Sequence, residues 1–320
     1  MTDVISTASS ARLTASSPRH MPHTILVVSR RSGVSQIVIR AWEKRYCALS
    51  PRRCEKGLRH YDDSDIERLR LLNELTKFGF RIGQIAKLSD EELRALQQKS
   101  LPCREAIKQL TTPADFITAA RETLNHYDGD KLRCVLNHAL ATLGHRLTLR
   151  GVIGPLIALT GEQWRDGHLG EAQEHLHTAV VRDFLAASVP GADVPVNAPE
   201  MVVCTPAGTV HEMGALLVAA TARDLGWRVM YLGSGLPATE IAKAATARRA
   251  RVVCLSLVYP LGCELVTSEI TKLRSLLPDE VTIIAGGRAA QSYCAKLAEI
   301  PGIHWPGDLA SFDALISNLI

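Results

Sequence analysis

Ser32-Gly33-Val34-Ser35-Gln36-Ile37-Val38-Ile39-Arg40-Ala41-Trp42-Glu43-Lys44-Arg45-Tyr46 is the stretch whose reading decides the fold of the N-terminal third. Gly33 suits a tight turn after a short helix that starts near Thr24. Ser35 is placed to cap a second helix, Ile37 to Arg45, by accepting a backbone N–H. Val34, Val38 and Trp42 share one face at helical spacing and are expected to pack inward. Gln36, Arg40, Lys44 and Arg45 are left to face a groove or phosphates. Next comes Pro51-Arg52-Arg53-Cys54-Glu55-Lys56-Gly57-Leu58-Arg59-His60-Tyr61, which reads as a basic, hairpin-like wing. An amphipathic helix from Asp62 to Phe78 follows, and 79–85 opens another.

Charge supports the same reading. From Arg30 to Tyr61 there are nine Lys or Arg against Glu43 and Glu55, a local charge of +7 in a chain of net +4; the stretch from Asp62 onward carries −4. A basic head on a mildly acidic body calls for a polyanionic partner at the head alone. The 22 residues before it, rich in Ser, Thr and Ala without periodicity, are expected to form a disordered arm.

Ser32-Gly33-Val34, Ile39 to Tyr46, Pro51-Arg52, Gly57 to Tyr61 and Ile82-Gly83-Gln84-Ile85 closely resemble the MerR family of winged-helix regulators, over about residues 24 to 95. The resemblance implies that helix 36–45 enters the major groove of double-stranded DNA while Arg52, Arg53, Arg59 and Tyr61 grip the backbone from the wing. It also implies a homo-oligomer, a dimer or tetramer, because one head makes too few contacts for tight binding.

Outward from the head (23–99) the pattern changes twice. Leu101-Pro102 and Thr111-Thr112-Pro113 read as a linker. From Ala114 to Ser188, apolar residues at three-to-four spacing, as in Leu132, Val135, Leu136, Ala139, Leu140 and Leu143, predict a central four-helix bundle over 104–190. Pro190-Gly191 and Pro195 to Pro199 form a second linker. Beyond it Met201 to Cys204, Arg228 to Leu232, Val252 to Leu257 and Val281 to Ala285 read as buried strands alternating with helices. Residues 198–320 are therefore expected to form a doubly wound parallel sheet, making the whole a multidomain α and α/β protein.

In an open parallel sheet, ligands sit outside the carboxyl ends of the strands. The unusual residues fall in those loops: Thr205 to Gly214 after the first strand, Ser256 to Pro260 after the third, and Gly286-Gly287-Arg288-Ala289-Ala290 after the fourth. Small residues leave backbone open to a bulky partner, and His211 is a natural metal ligand. His211-x-x-Gly214, Ser256-Leu257 and Gly286-Gly287 resemble the cobalamin-binding Rossmann domain of methionine synthase and its relatives. By that resemblance His211 ligates cobalt from below, while Ser256, Leu257, Gly286 and Gly287 line the tunnel for the displaced nucleotide tail. Thr209 stands where the family carries an aspartate bonded to the histidine, which leaves the ligand weakened or retuned; Glu212 is a candidate substitute.

Trp164 precedes Glu174-His175 by ten residues in the bundle. Between a MerR-like head and a cobalamin-like sheet, this pattern resembles the light-sensing CarH/LitR regulators of carotenoid synthesis, from about Thr24 to Ile320. The resemblance implies that Trp164, Glu174 and His175 cap the upper face of adenosylcobalamin. Members with a photochemical lock carry a histidine directly after the tryptophan; here Arg165 occupies that position, with His168, His175 and His177 nearby. The reading is a non-enzymatic repressor controlled by adenosylcobalamin and light. The alternative is a MerR-type regulator that has lost cobalamin and senses another ligand or a protein partner. A corrinoid carrier subunit is disfavoured, since it has no use for a DNA-binding head.

The remaining composition fits a cytoplasmic location. No apolar run is long enough to span a bilayer, the first residues lack the apolar core of a secretory signal, and eight scattered cysteines show no CxxC pair.

Overall fold

The computed structural model describes residues 23–53, 59–77, 80, 82–188, 194–195 and 197–319, with backbone alone at 77, 99–106 and 188. The expected arm at 1–22, residues 54–58 of the expected wing and the expected linker at Pro190-Gly191 lie outside the described residues. Two compact units divide the chain, Met1–Leu101 and Pro102–Ile320.

In the first unit, α1 (Ile25–Ser32) turns at Gly33, whose φ of 73° is the left-handed conformation glycine adopts without strain. Then come α2 (Gln36–Tyr46), the antiparallel pair β1 (Arg52–Arg53) and β2 (Arg59–His60), α3 (Asp63–Lys77) and α4 (Ile82–Ile85). Val28, Val34, Ile39, Tyr61, Ile66 and Leu69 form the first core cluster, with Val38 and Trp42 packed at its edge. Arg68 on α3 staples the helices by donating to the carbonyls of Ala48, Ala86 and Leu88 and pairing with Asp90.

Helix α5 (Asp90–Ile107) runs through Leu101-Pro102, where the sequence predicts a linker. A proline removes one backbone donor and disfavours helix without forbidding it.

The second unit begins with four helical stretches: α6 (Pro113–Asn125), α7 (Gly129–Thr148), a π-helical turn (Leu149–Ile153) continuing into α8 (Gly154–Arg165), and α9 (Glu171–Ser188). Thr112 and Asp115 form a reciprocal capping box on α6. Phe116, Leu132, Leu136, Val152, Ile153 and Val181 lie at the centre of the bundle.

The sheet follows as β3 (Glu200–Pro206), α10 (Met213–Asp224), β4 (Arg228–Leu236), α11 (Ala238–Arg248), β5 (Val252–Ser256), α12 (Glu264–Leu276), β6 (Thr282–Gly286), α13 (Ala290–Leu297), β7 (Ile303–His304) and α14 (Leu309–Ser317). All strand pairs are parallel, in the order β4-β3-β5-β6-β7. The order reverses at β3, which has β4 on one side and β5 on the other. That reversal opens a crevice at the carboxyl ends of β3 and β5. The central strands β3, β5 and β6 are buried on both faces, by α11, α12 and α13 on one side and by α10 and α14 on the other. Leu217 and Ala220 on the outer side of α10 enter the core of the bundle, so bundle and sheet share apolar contacts.

Candidate functional site

Two sites emerge, one in each unit. In the head, the Ser35 hydroxyl accepts the Val38 N–H at 3.3 Å and fixes where α2 starts. Residues one turn apart then stack along its outer face: Ile37, Arg40 and Lys44 are exposed and Ala41 is half-buried between them. Arg45 is exposed and Gln36 half-buried. Glu43 ties the wing to this helix, taking the Arg59 Nε at 2.8 Å and the Tyr61 hydroxyl. Arg52 and Arg53 are exposed on the opposite strand of the wing.

Tyr61 corrects the sequence expectation. It was expected to grip DNA backbone, yet it is only 1% exposed and lies in the core of the head. A pair of backbone hydrogen bonds with His23 holds the strand end so that the ring turns inward. Burial, with the Glu43 carboxylate beside the hydroxyl, pushes its pKa up.

In the second unit, a cavity of about 450 Å³ opens at the switch point, lined among others by Gly214, Ser256, Gly286 and Gly287. The structure thus brings together four residues singled out in three separate loops. Two of them leave no room for a side chain as packed, and only at Gly287 is the obstacle main chain. A Cβ on Gly214 would sit 2.6 Å from the Ser256 Oγ. A Cβ on Gly287, where φ is +109°, would sit 2.5 Å from the Leu257 carbonyl oxygen. Leu257 itself corrects the expectation. Its side chain is fully buried in the core beneath the sheet edge and does not line the cavity. Its N–H and C=O are spent on Gly286 and Ala289.

His211 lies in the loop three residues before Gly214 and is exposed, its ring edge-to-face with Tyr259 at 6.1 Å between centroids. Thr209 gives it no polar support. That residue is buried, its hydroxyl donates to the Pro206 carbonyl at 2.7 Å, and its own carbonyl accepts the Thr205 hydroxyl at 2.8 Å. Glu212 does not substitute either: one carboxylate oxygen takes Arg182 of α9 at 2.8 Å and the other the Tyr231 hydroxyl of β4 at 2.7 Å. Both oxygens are therefore engaged away from the histidine.

Among the bundle residues, Trp164 is 49% exposed near the end of α8. On α9, Glu174 accepts the Thr178 hydroxyl at 2.6 Å and sits 2.7 Å from the His175 Nδ1. Burial alone would raise the Glu174 pKa, but these bonds and the neighbouring imidazoles hold it below its ordinary value. The bond to Glu174 in turn raises the pKa of exposed His175. Arg165 lies 3.9 Å from Asp166. His168 is exposed, whereas His177 is 2% exposed and faces inward, which removes it from the nearby histidines able to approach a ligand.

The donor set fits a corrinoid: one accessible imidazole, a loop edge cleared of side chains by glycine, and a deep slot for an appended tail. Residues 24–92 match the model of the MerR HTH family regulatory protein, and residues 199–309 that of the B12 binding domain. The HTH-type transcriptional repressor CarH of Myxococcus xanthus is 34% identical over 282 residues, 86% of this chain and 93% of that protein. The chain belongs to the CarH family of MerR-type regulators.

This CarH-family chain is also 27% identical to the repressor CarA of the same organism, over 84% of the chain and 88% of that protein. Its second unit shares a fold with the monomethylamine corrinoid protein of Methanosarcina barkeri, which is 13% identical with a TM-score of 0.50, covering 65% of this chain and 99% of that one. As a CarH-family regulator it combines a DNA-binding head with a cobalamin-binding domain. Among its described residues, no helix is long and apolar enough to cross a membrane. Sequence reasoning missed Glu43, Arg182 and Tyr231, because each acts through a partner 16 or more residues away.

Proposed function

We propose that this chain is a cytoplasmic repressor whose hold on its DNA operator is set by adenosylcobalamin and released by light. The observation that carries the reading is the glycine-cleared cavity beside exposed His211, in the same chain as a winged basic head. His211 would ligate the cobalt, and Gly214, Ser256, Gly286 and Gly287 would receive the nucleotide tail. Trp164 would pack its ring against the cofactor, and the Glu174 carboxylate and His175 would offer hydrogen bonds to an adenosyl group. Bound adenosylcobalamin supplies a cobalt–carbon bond that visible light breaks. The chain's own part is differential: the bundle residues favour one arrangement when the upper group is held and lose that preference when it is not, which biases assembly of a dimer or tetramer on DNA. The test is to purify the protein in the dark with adenosylcobalamin and to measure operator binding and oligomer mass before and after illumination. Equal binding in both conditions would sink the light-controlled reading.

The competing reading is a CarH-family regulator that no longer uses cobalamin. It is favoured by Thr209, whose hydroxyl is locked in its own loop, and by Arg165, whose guanidinium has no lone pair for a metal. A colourless protein after incubation with cobalamin, with unchanged DNA binding, would decide for it.

A further inference from the structure

Ile37 is the most exposed large apolar side chain described in the protein, at 81%. It sits one residue into α2, the helix that a winged head presents to the major groove. Its neighbours along the helix surface are Arg40, Ala41 and Lys44, at the three-, four- and seven-residue spacing that stacks side chains on one face. Arg40 and Lys44 are exposed, and Ala41 is small. The apolar residues that hold α2 in place, Val38, Ile39 and Trp42, lie on the other side and pack into the core of the head. Ile37 therefore adds nothing to that core. It stands at the N-terminal end of a cationic stripe, with Arg40 and Lys44 following it along the same face and no apolar neighbour along the stripe larger than Ala41.

An aliphatic group that shares a helix face with cations suits a surface that is anionic at its rims and carries an isolated apolar feature between them. The major groove is such a surface. Phosphates line both edges, and the one apolar group on the floor is the 5-methyl of thymine. Arg40 and Lys44 hold the rims without reading sequence. Ile37, reaching from the first turn of the helix, arrives where N-terminal residues of a recognition helix meet base edges. We propose that Ile37 is a specificity-determining residue that reads a thymine methyl group in the operator by apolar contact. Gln36, half-buried at the side of the stripe, is less well placed for this than its neighbour.

The experiment uses the full chain and a duplex selected by that chain from a random-sequence pool. Each thymine is replaced in turn by deoxyuridine, which deletes the 5-methyl and leaves every hydrogen-bonding atom in place. At one thymine within the contacted site the replacement weakens wild-type binding about fourfold, as loss of one buried methyl implies. Ile37→Ala weakens binding to the unmodified duplex by a similar or larger factor, shows no further loss on the deoxyuridine duplex, and binds random DNA as the wild type does. Ile37→Val, which keeps a branched aliphatic end, retains part of the discrimination. Because Ile37 leaves the core untouched, both variants keep the wild-type melting midpoint, which is checked alongside. Two results overturn the proposal: no single deoxyuridine weakens the wild type, or Ile37→Ala shows the full wild-type loss at the same thymine.

Discussion

Protonating His177 means placing a charge in the interior of the bundle, where its Nε2 has no hydrogen-bond partner among the described residues. Burial pushes its pKa down to about 4, against roughly 6.5 for an exposed imidazole. Between those values the unfolded chain binds a proton that the folded chain refuses, so the stabilisation is complete above about pH 6.5 and is lost as pH falls toward 4. Urea titrations of the second unit's transition in the full chain should lose on the order of 3 kcal/mol across that window. His177→Leu should remove this slope; parallel profiles for the two proteins would refute the assignment. Steric predictions are equally local. Gly214→Ala should lower the urea midpoint by an amount worth about 1–3 kcal/mol, and Ser256→Ala in the same chain should restore part of it by removing the clashing oxygen. For the ligand, His211→Ala should reduce cobalamin affinity and change the visible spectrum of the loaded protein. An unchanged affinity and spectrum would mean that the histidine is not a ligand. The convergence of Gly214, Ser256, Gly286 and Gly287 on one cavity was legible because short loop motifs carry them. Tyr61 and Leu257 misled because sequence names a residue without saying which way a strand end turns it.

At the scale of elements, α2 and its wing act together through Glu43. Arg40→Ala should weaken binding to all DNA alike and reduce the salt slope by about one counterion. If only the preferred operator suffers, Arg40 reads bases instead. Between bundle and sheet, Arg182, Glu212 and Tyr231 join α9, the loop before α10, and β4. Arg182 is half exposed, so Arg182→Ala should cost about 1 kcal/mol or less. Tyr231→Phe should cost about as much, and the double variant should lose less than the two costs combined, since both act on one carboxylate. Strict additivity in thermal melts would argue that the three groups do not form a unit. Periodicity found the four bundle helices and the four long strands. It did not find β7, because a two-residue strand has no period, nor the passage of α5 through Pro102, where local preference is overridden.

At the scale of the molecule, the order of head, bundle and sheet was written in three successive patterns: basic turns, then three-to-four spacing, then apolar strands. Pairings across those blocks, such as Arg150 with Asp313, were not, since nothing local marks them. The whole-molecule prediction concerns reversibility. Light should weaken DNA binding, and binding should return in the dark with excess adenosylcobalamin, because Arg165 has no lone pair to hold the relaxed arrangement through a metal bond. Cycles of illumination and dark titration, followed by DNA binding and oligomer mass, check this. Permanent loss with a bis-histidine spectrum would refute it and point to His168 or His175, the exposed pair.

The glycine pair also bears on descent. A lineage that abandoned the ligand would be free to fill the space at Gly214, because a change at Ser256 relieves the only close contact below 3 Å there. Gly287 has no such freedom: its obstacle is the Leu257 main chain, and any single-base change of a glycine codon to another amino acid adds a side chain. Selection for a foldable sheet would preserve Gly287 long after selection for the ligand had ceased. In this branch Gly287 is thus a record of architecture, and His211 together with Gly214 is the better witness to which descendants still carry a corrinoid.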